Sequence, residues 1–162
     1  MIEIEITPKM VAEAQRKSDE MGRLNNSIRK GKGNLTGFLG EEAFAHHFGL
    51  KPSNTYDYDF ILPDGTKVDV KTKKRTVSVQ GNYNATVADF NTTQDCDIYY
   101  FVSLIWDNRT NSWSKAQLCG SISKERFYSD ATFAKKGDPD GKWDFKADCY
   151  NLRYECLDGW HS

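Results

Sequence analysis

Apolar and polar positions change period several times along the chain, and each change marks an element. The start, Met1-Ile2-Glu3-Ile4-Glu5-Ile6, alternates and is too charged and too short for a signal peptide. Thr7-Pro8 then supplies a helix N-cap with proline at the first helical position. Met10, Val11, Ala14, Met21 and Leu24 follow on one face of an amphipathic helix. Gly31-Lys32-Gly33 breaks the chain before a second helix over 34–48, which ends at Gly49. Alternation of period two takes over at 57–73, where Pro63-Asp64-Gly65 reads as a three-residue hairpin loop with glycine in the left-handed position. Residues 76–94 mix β-branched and polar residues with Gly81 and several asparagines, which predicts a strand extension and an irregular loop. The nearly continuous apolar run 97–106 predicts a strand in the middle of a sheet. A turn at 107–111, a strand near 113–119, a short helix capped by Ser123 and running through Tyr128, a loop at 137–141 and β-structure over 143–157 complete the pattern.

The hairpin loop fixes a register. Leu62 falls opposite Thr66, Ile61 opposite Lys67, Phe60 opposite Val68, Asp59 opposite Asp69, Tyr58 opposite Val70 and Asp57 opposite Lys71. Opposed residues share a face. One face is then Tyr58, Phe60, Leu62, Val68 and Val70, and the other is Asp57, Asp59, Asp69 and Lys71. Two opposed carboxylates repel each other unless a cation lies between them, and Mg²⁺ takes one or two carboxylates together with phosphate oxygens. A solvated polar face with no ion is the competing reading of the same pattern. On the preceding helix, Glu41 lies among Asn34, Gly37, Phe38, Phe44, Ala45 and Phe48 when plotted at about 100° per residue. A carboxylate on an apolar stripe needs a cation, a metal or a hydrogen-bond donor. Gly37 and Gly40 would let this helix approach a neighbouring backbone.

A helix carrying Gly37-x-x-Gly40-Glu41, followed by Asp59 and then Asp69-Val70-Lys71, resembles the PD-(D/E)xK nuclease superfamily, over roughly residues 34–106. On that resemblance Glu41 corresponds to the family's helix glutamate, Asp59 to its strand aspartate, and Asp69 and Lys71 to its (D/E)xK pair. Tyr58, not proline, precedes Asp59, which leaves Asp57 as a rival; register favours Asp59. The fold implied is α/β (α+β), a mixed β-sheet with the αβββαβ restriction-endonuclease-like core, plus an N-terminal helix and an extra hairpin. The activity implied is metal-dependent hydrolysis of DNA phosphodiester bonds. Asp59, Asp69, the Val70 carbonyl and Glu41 would be ligands of Mg²⁺ (or Mn²⁺), and Lys71 the stabiliser of phosphate charge. An endonuclease is the leading expectation, with a junction resolvase, an exonuclease, or an inactive nucleic-acid-binding module of the same fold as alternatives. A resolvase or double-strand cutter would need a homodimer.

Composition changes this picture little and charge distribution more. With 38% hydrophobic and 28% charged residues, and no repeat or dividing linker, residues 1–162 read as one domain: 1–33 an N-terminal helical addition, about 34–157 the core. A net charge of −1 argues against a basic nucleic-acid binder overall. Yet Arg23, Arg29, Lys30 and Lys32 form one acid-free run, and Lys71, Lys73, Lys74 and Arg75 another, both abutting the carboxylates in sequence, where a DNA backbone would lie. Cys96, Cys119, Cys149 and Cys156 lack C-x-x-C spacing and read as free thiols. No membrane segment is evident, so the expected location is the cytoplasm, that of a host if the chain is phage-encoded. None of the three histidines has the neighbours of a Ser-His-Asp or Cys-His nucleophile.

Overall fold

The structure, a computed structural model, describes residues 1–24, 34–53 and 55–161. Strand β1 (Ile2–Glu5) leads into helix α1 (Pro8–Leu24), where the Thr7 hydroxyl accepts from the Met10 N–H at 3.2 Å and acts as the N-cap. Helix α2 (Asn34–Phe48) stops at Gly49, whose φ of +66° lets the Leu50 N–H reach back to the Ala45 carbonyl at 3.1 Å. The hairpin follows as β2 (Phe60–Ile61) and β3 (Lys67–Arg75), closed through Gly65 at φ +88°. Next come β4 (Asn84–Ala88), β5 (Ile98–Asp107), β6 (Ser112–Ser123) and α3 (Lys124–Asp130), the last capped by the Ser123 hydroxyl, which accepts from the Arg126 N–H. Short strands β7 (Thr132–Ala134), β8 (Pro139–Asp140), β9 (Trp143–Asp144) and β10 (Cys149–Arg153) end the chain.

The main sheet is mixed, in the order β1-β6-β5-β3-β2, with β3 and β5 parallel and the other pairs antiparallel. β5 is its middle strand, as its apolar sequence predicts. Helices α1 and α2 cover one face through Met10, Ala14, Leu39, Ala43 and Phe44, packed on Val68, Val70, Val102 and Leu104. The other face, with Tyr99, Phe101, Cys119 and Ile122, is covered by α3 through Phe127 and by a second sheet, β4-β10-β7, through Ala85, Val87 and Leu152. β8 and β9 form a separate hairpin. Burial on both faces makes β3 a partition. Val68, Val70, Thr72 and Lys74 leave it toward the helices, and Asp69, Lys71, Lys73 and Arg75 toward the second sheet.

Several expectations shift. Residues 1–33 are more than a helical addition, because β1 pairs with β6 and forms an edge of the main sheet. Four strands of that sheet, not three, separate α2 from α3 if β1 is left aside, and β4 belongs to the second sheet. Helix α2 buries Leu39, Gly40, Ala43 and Phe44, while Glu41 flanks that stripe and Phe48 is exposed. The helix is apolar nearly all round, so periodicity alone does not choose its inner face. Close approach does: a Cβ on Gly40 would stand 2.8 Å from Thr72 Cβ, whereas one on Gly37 would meet nothing within 4 Å. All four cysteines are free, and no helix among the described residues is long and apolar enough to cross a membrane.

Candidate functional site

Phe60 pairs with Val68 and Ile61 with Lys67, as the hairpin loop dictates; the Asp59 N–H still donates to the Val68 carbonyl at 2.8 Å, and the ladder ends there. Asp59 does not lie across from Asp69 as a strand partner. Its Oδ2 instead accepts a hydrogen bond from the Val70 N–H at 2.7 Å, so the side chain takes the place that a longer β2 would have filled with backbone. The physical reason is local: two opposed carboxylates would repel, while a carboxylate on a free edge N–H makes a charge-assisted bond. The N–H and C=O of one residue leave an extended strand on the same side, so the Val70 carbonyl also faces this edge. Tyr58 accordingly leaves the expected apolar face and packs at the rim of the second core, with Lys67 Nζ 5.5 Å from its ring centre. Asp57 turns elsewhere, its Oδ1 accepting from the Asp95 N–H at 3.2 Å.

Three carboxylates act on one another around this edge. Glu41 stands on α2, Asp59 lies beside the edge with its Oδ2 on the Val70 N–H, and Asp69 projects from the face of β3 turned away from α2. Burial first, then the charge of Asp59, raises the Glu41 carboxyl to about 8; Lys17 pulls the other way, and the charge of Asp69 adds to the rise. Burial, then Asp69, raises Asp59 to about 7 against the Val70 N–H and Lys71. Asp69 is only 3% exposed, and burial raises its carboxyl too, opposed by Lys71. Lys17 is ion-paired to the neighbouring Glu42 at 2.6 Å.

Lys71 binds the site together. Its Nζ lies 2.6 Å from Asp69 Oδ2, donates to Gln94 Oε1 at 3.0 Å and sits 5.6 Å from the centre of the Tyr99 ring. Gln94 is buried. Its Nε2 donates to the Tyr56 carbonyl at 2.8 Å, and its own carbonyl accepts from Lys124, whose charge also reaches Asp69. Neither Gln94 nor Lys124 was visible in the sequence: Gln94 sits in a polar loop without distinctive spacing, and Lys124 reads only as the first residue of a short helix.

The edge thus gathers carboxylates whose repulsion and burial a cation would relieve. Among the described residues no group of three or more His, Cys, Asp and Glu side chains is arranged as a ready metal cage. The oxygens nearest this edge are those of Asp59, whose Oδ2 is already held by the Val70 N–H, the Val70 carbonyl and, on the far face of β3, the Asp69 carboxylate paired with Lys71. Of the basic residues predicted to meet DNA, Lys73 and Arg75 share the face of Lys71. Lys74 does not; its Nζ lies 4.2 Å from the centre of Trp106 and 5.1 Å from that of Trp113, on the helical side. Arg29, Lys30 and Lys32 lie outside the described residues. His46 and His47 are exposed on α2. No protein-family model and no curated protein matches the chain.

Proposed function

We propose that this chain is a metal-dependent nuclease that hydrolyses DNA phosphodiester bonds, an endonuclease in preference to a junction resolvase or an exonuclease. The reading takes α2, the β2–β3 hairpin and β5 as the counterpart of a restriction-endonuclease-like core. One observation carries it: where β2 stops, Asp59 accepts from the Val70 N–H while the next acid along β3, Asp69, is buried against the Lys71 ammonium at 2.6 Å. Asp59, Asp69, the Val70 carbonyl and Glu41 would hold Mg²⁺ or Mn²⁺. When bound, that ion would supply an activated water and neutralise charge at the scissile phosphate. Lys71 has its own task. Fixed between Asp69 and Gln94, its ammonium is already oriented to face charge growing on the phosphate, where a preorganised cation is most effective. Gln94 positions Lys71 and takes no part in bond breaking.

The test is cleavage of linear duplex, nicked circle, single strand, branched junction and RNA with Mg²⁺, Mn²⁺ or EDTA, comparing wild type with Lys71→Ala. Metal-dependent cutting that disappears in the variant is the expected result. Binding without cutting would favour the inactive module, and neither binding nor cutting would overturn the proposal.

A further inference from the structure

Beyond the carboxylate edge, the polar face of β3 continues through Lys73 to Arg75, about 20 Å from Asp69 at the usual rise of an extended strand. It runs into an open groove of about 960 Å³ between β3, β4 and the β8–β9 hairpin. Lys73 and Arg75 form one wall together with Tyr83, and Lys142, Trp143 and Lys146 stand on the other. None of these four cations has an ion-pair partner among the described residues. Asp140 and Asp144 also line the groove, so its lining carries four cations against two carboxylates.

The cations are poised rather than neutralised. The Arg75 guanidinium is stacked 5.0 Å from the Tyr83 ring centre and 5.6 Å from that of Tyr154, yet its buried Nε and Nη2 have no hydrogen-bond acceptor. Burial and the charge of Arg75 lower the Lys73 ammonium's affinity for its proton, with Asp140 opposing. An anion in the groove would ease the repulsion between Arg75 and Lys73, without reaching the Nε and Nη2 enclosed between Tyr83 and Tyr154. The other wall offers an aromatic surface. Gly141, at φ +63°, and Lys142 form the two-residue loop between β8 and β9, and this tight hairpin holds out Trp143, 74% exposed. A free indole face beside phosphate-binding cations is a platform for an unpaired base, whose π-face is accessible, whereas a stacked and paired base offers only its edge.

We propose that this groove binds a single-stranded segment of DNA, with its phosphates on Lys73, Arg75, Lys142 and Lys146 and a base stacked on Trp143. Resting on the nuclease reading, this makes the preferred substrate one in which single-stranded DNA continues beyond the cut, so that β3 measures the spacing between the scissile phosphate and the stacked base.

The test is fluorescence anisotropy in EDTA, with a labelled oligothymidylate of about 12 nucleotides, a duplex of equal length and an oligouridylate. Trp143→Ala is expected to weaken oligothymidylate binding about tenfold, Trp143→Phe less than about threefold, and neither is expected to move duplex binding by more than about threefold. Replacing Lys142 and Lys146 together by alanine should flatten the dependence of log K on log salt by about 1.4. Unchanged single-strand binding in Trp143→Ala, an equal loss on duplex, or tighter binding of the uridylate would overturn the proposal. The two readings fail separately. Normal metal-dependent cutting with no effect of Trp143→Ala on binding removes the groove alone, while the expected binding pattern without any cutting removes the nuclease alone.

Discussion

Replacing Gly40 by alanine tests how closely α2 must lie on β3. The added Cβ would stand 2.8 Å from Thr72 Cβ and 2.7 Å from Cγ2, and nearer still to Oγ1. Rotating Thr72 moves Oγ1 and Cγ2 but not Cβ, so ordinary carbon contact returns only if the helix lifts by about 1 Å. Overpacking of this kind costs about 1–3 kcal/mol, and the better helix propensity of alanine offsets up to about 1 kcal/mol. The expected net loss is roughly 1 kcal/mol. Gly37→Ala, on the same helix with nothing within 4 Å, keeps only the propensity gain and should stabilise by up to about 1 kcal/mol. Urea denaturation at one pH, with equal m-values, reads both as midpoint shifts of opposite sign. Glu41 follows Gly40 directly, so lifting α2 also draws that carboxylate away from Asp59 and Asp69. Cleavage should fall about tenfold in Gly40→Ala and stay unchanged in Gly37→Ala. Thr72→Ala in the Gly40→Ala background should recover only part of the stability, because Thr72 Cβ remains. Midpoints that rise in both glycine variants would refute the close-approach argument.

Glu41 and Asp59 bind protons more tightly in the folded chain than in the unfolded one, so their contribution to stability is complete below about pH 4 and is lost as pH rises through about 7 and 8. In EDTA the unfolding free energy should fall across that window by about 1.4 kcal/mol per unit of raised pKa, and Glu41→Gln should flatten the fall; urea midpoints from about pH 5 to about pH 9 check this, and equal slopes in both proteins would refute it. Mn²⁺ or Mg²⁺ at about a hundred times its dissociation constant should stabilise wild type by about 2.7 kcal/mol near pH 8 and leave the Asp59→Asn, Asp69→Asn double variant unmoved, as thermal unfolding would show. Lys74→Ala should lower stability by about 0.5–1 kcal/mol through the lost contact with Trp106 and Trp113 and leave DNA affinity unchanged, whereas Lys73→Ala should weaken DNA binding with little effect on unfolding; exchange of these two outcomes would reverse the assignment of faces.

What the sequence made legible was what short-range chemistry decides. Pro63-Asp64-Gly65 carries its own turn geometry, so the Phe60–Val68 and Ile61–Lys67 pairs follow from it. The apolar run of β5 predicts burial on both faces, and Ser123 caps α3 because its hydroxyl can reach the Arg126 N–H. Asp69 and Lys71 sit on one side of β3 by alternation alone. Less legible was anything settled by partners distant in sequence. The early end of β2 depends on Asp59 taking the Val70 N–H, and the capture of β1 by β6 joins residues more than a hundred positions apart. The inward face of α2 is chosen by Thr72 against Gly40, not by hydrophobic period. Gln94 and Lys124 become neighbours of Lys71 and Asp69 only after β5 has been laid parallel to β3.

The partition formed by β3 also bears on which changes of length the gene can accept. Substitutions along the strand act one at a time, but removal of a single residue between Lys67 and Arg75 would exchange the two faces for every position beyond it. A deletion before Asp69 would send the acid and Lys71 into the helical core and turn valines toward the groove. Strand length is therefore frozen, and natural length variation should collect in the turns at 76–83, where an added residue leaves both the two faces and the β2–β3 register in place.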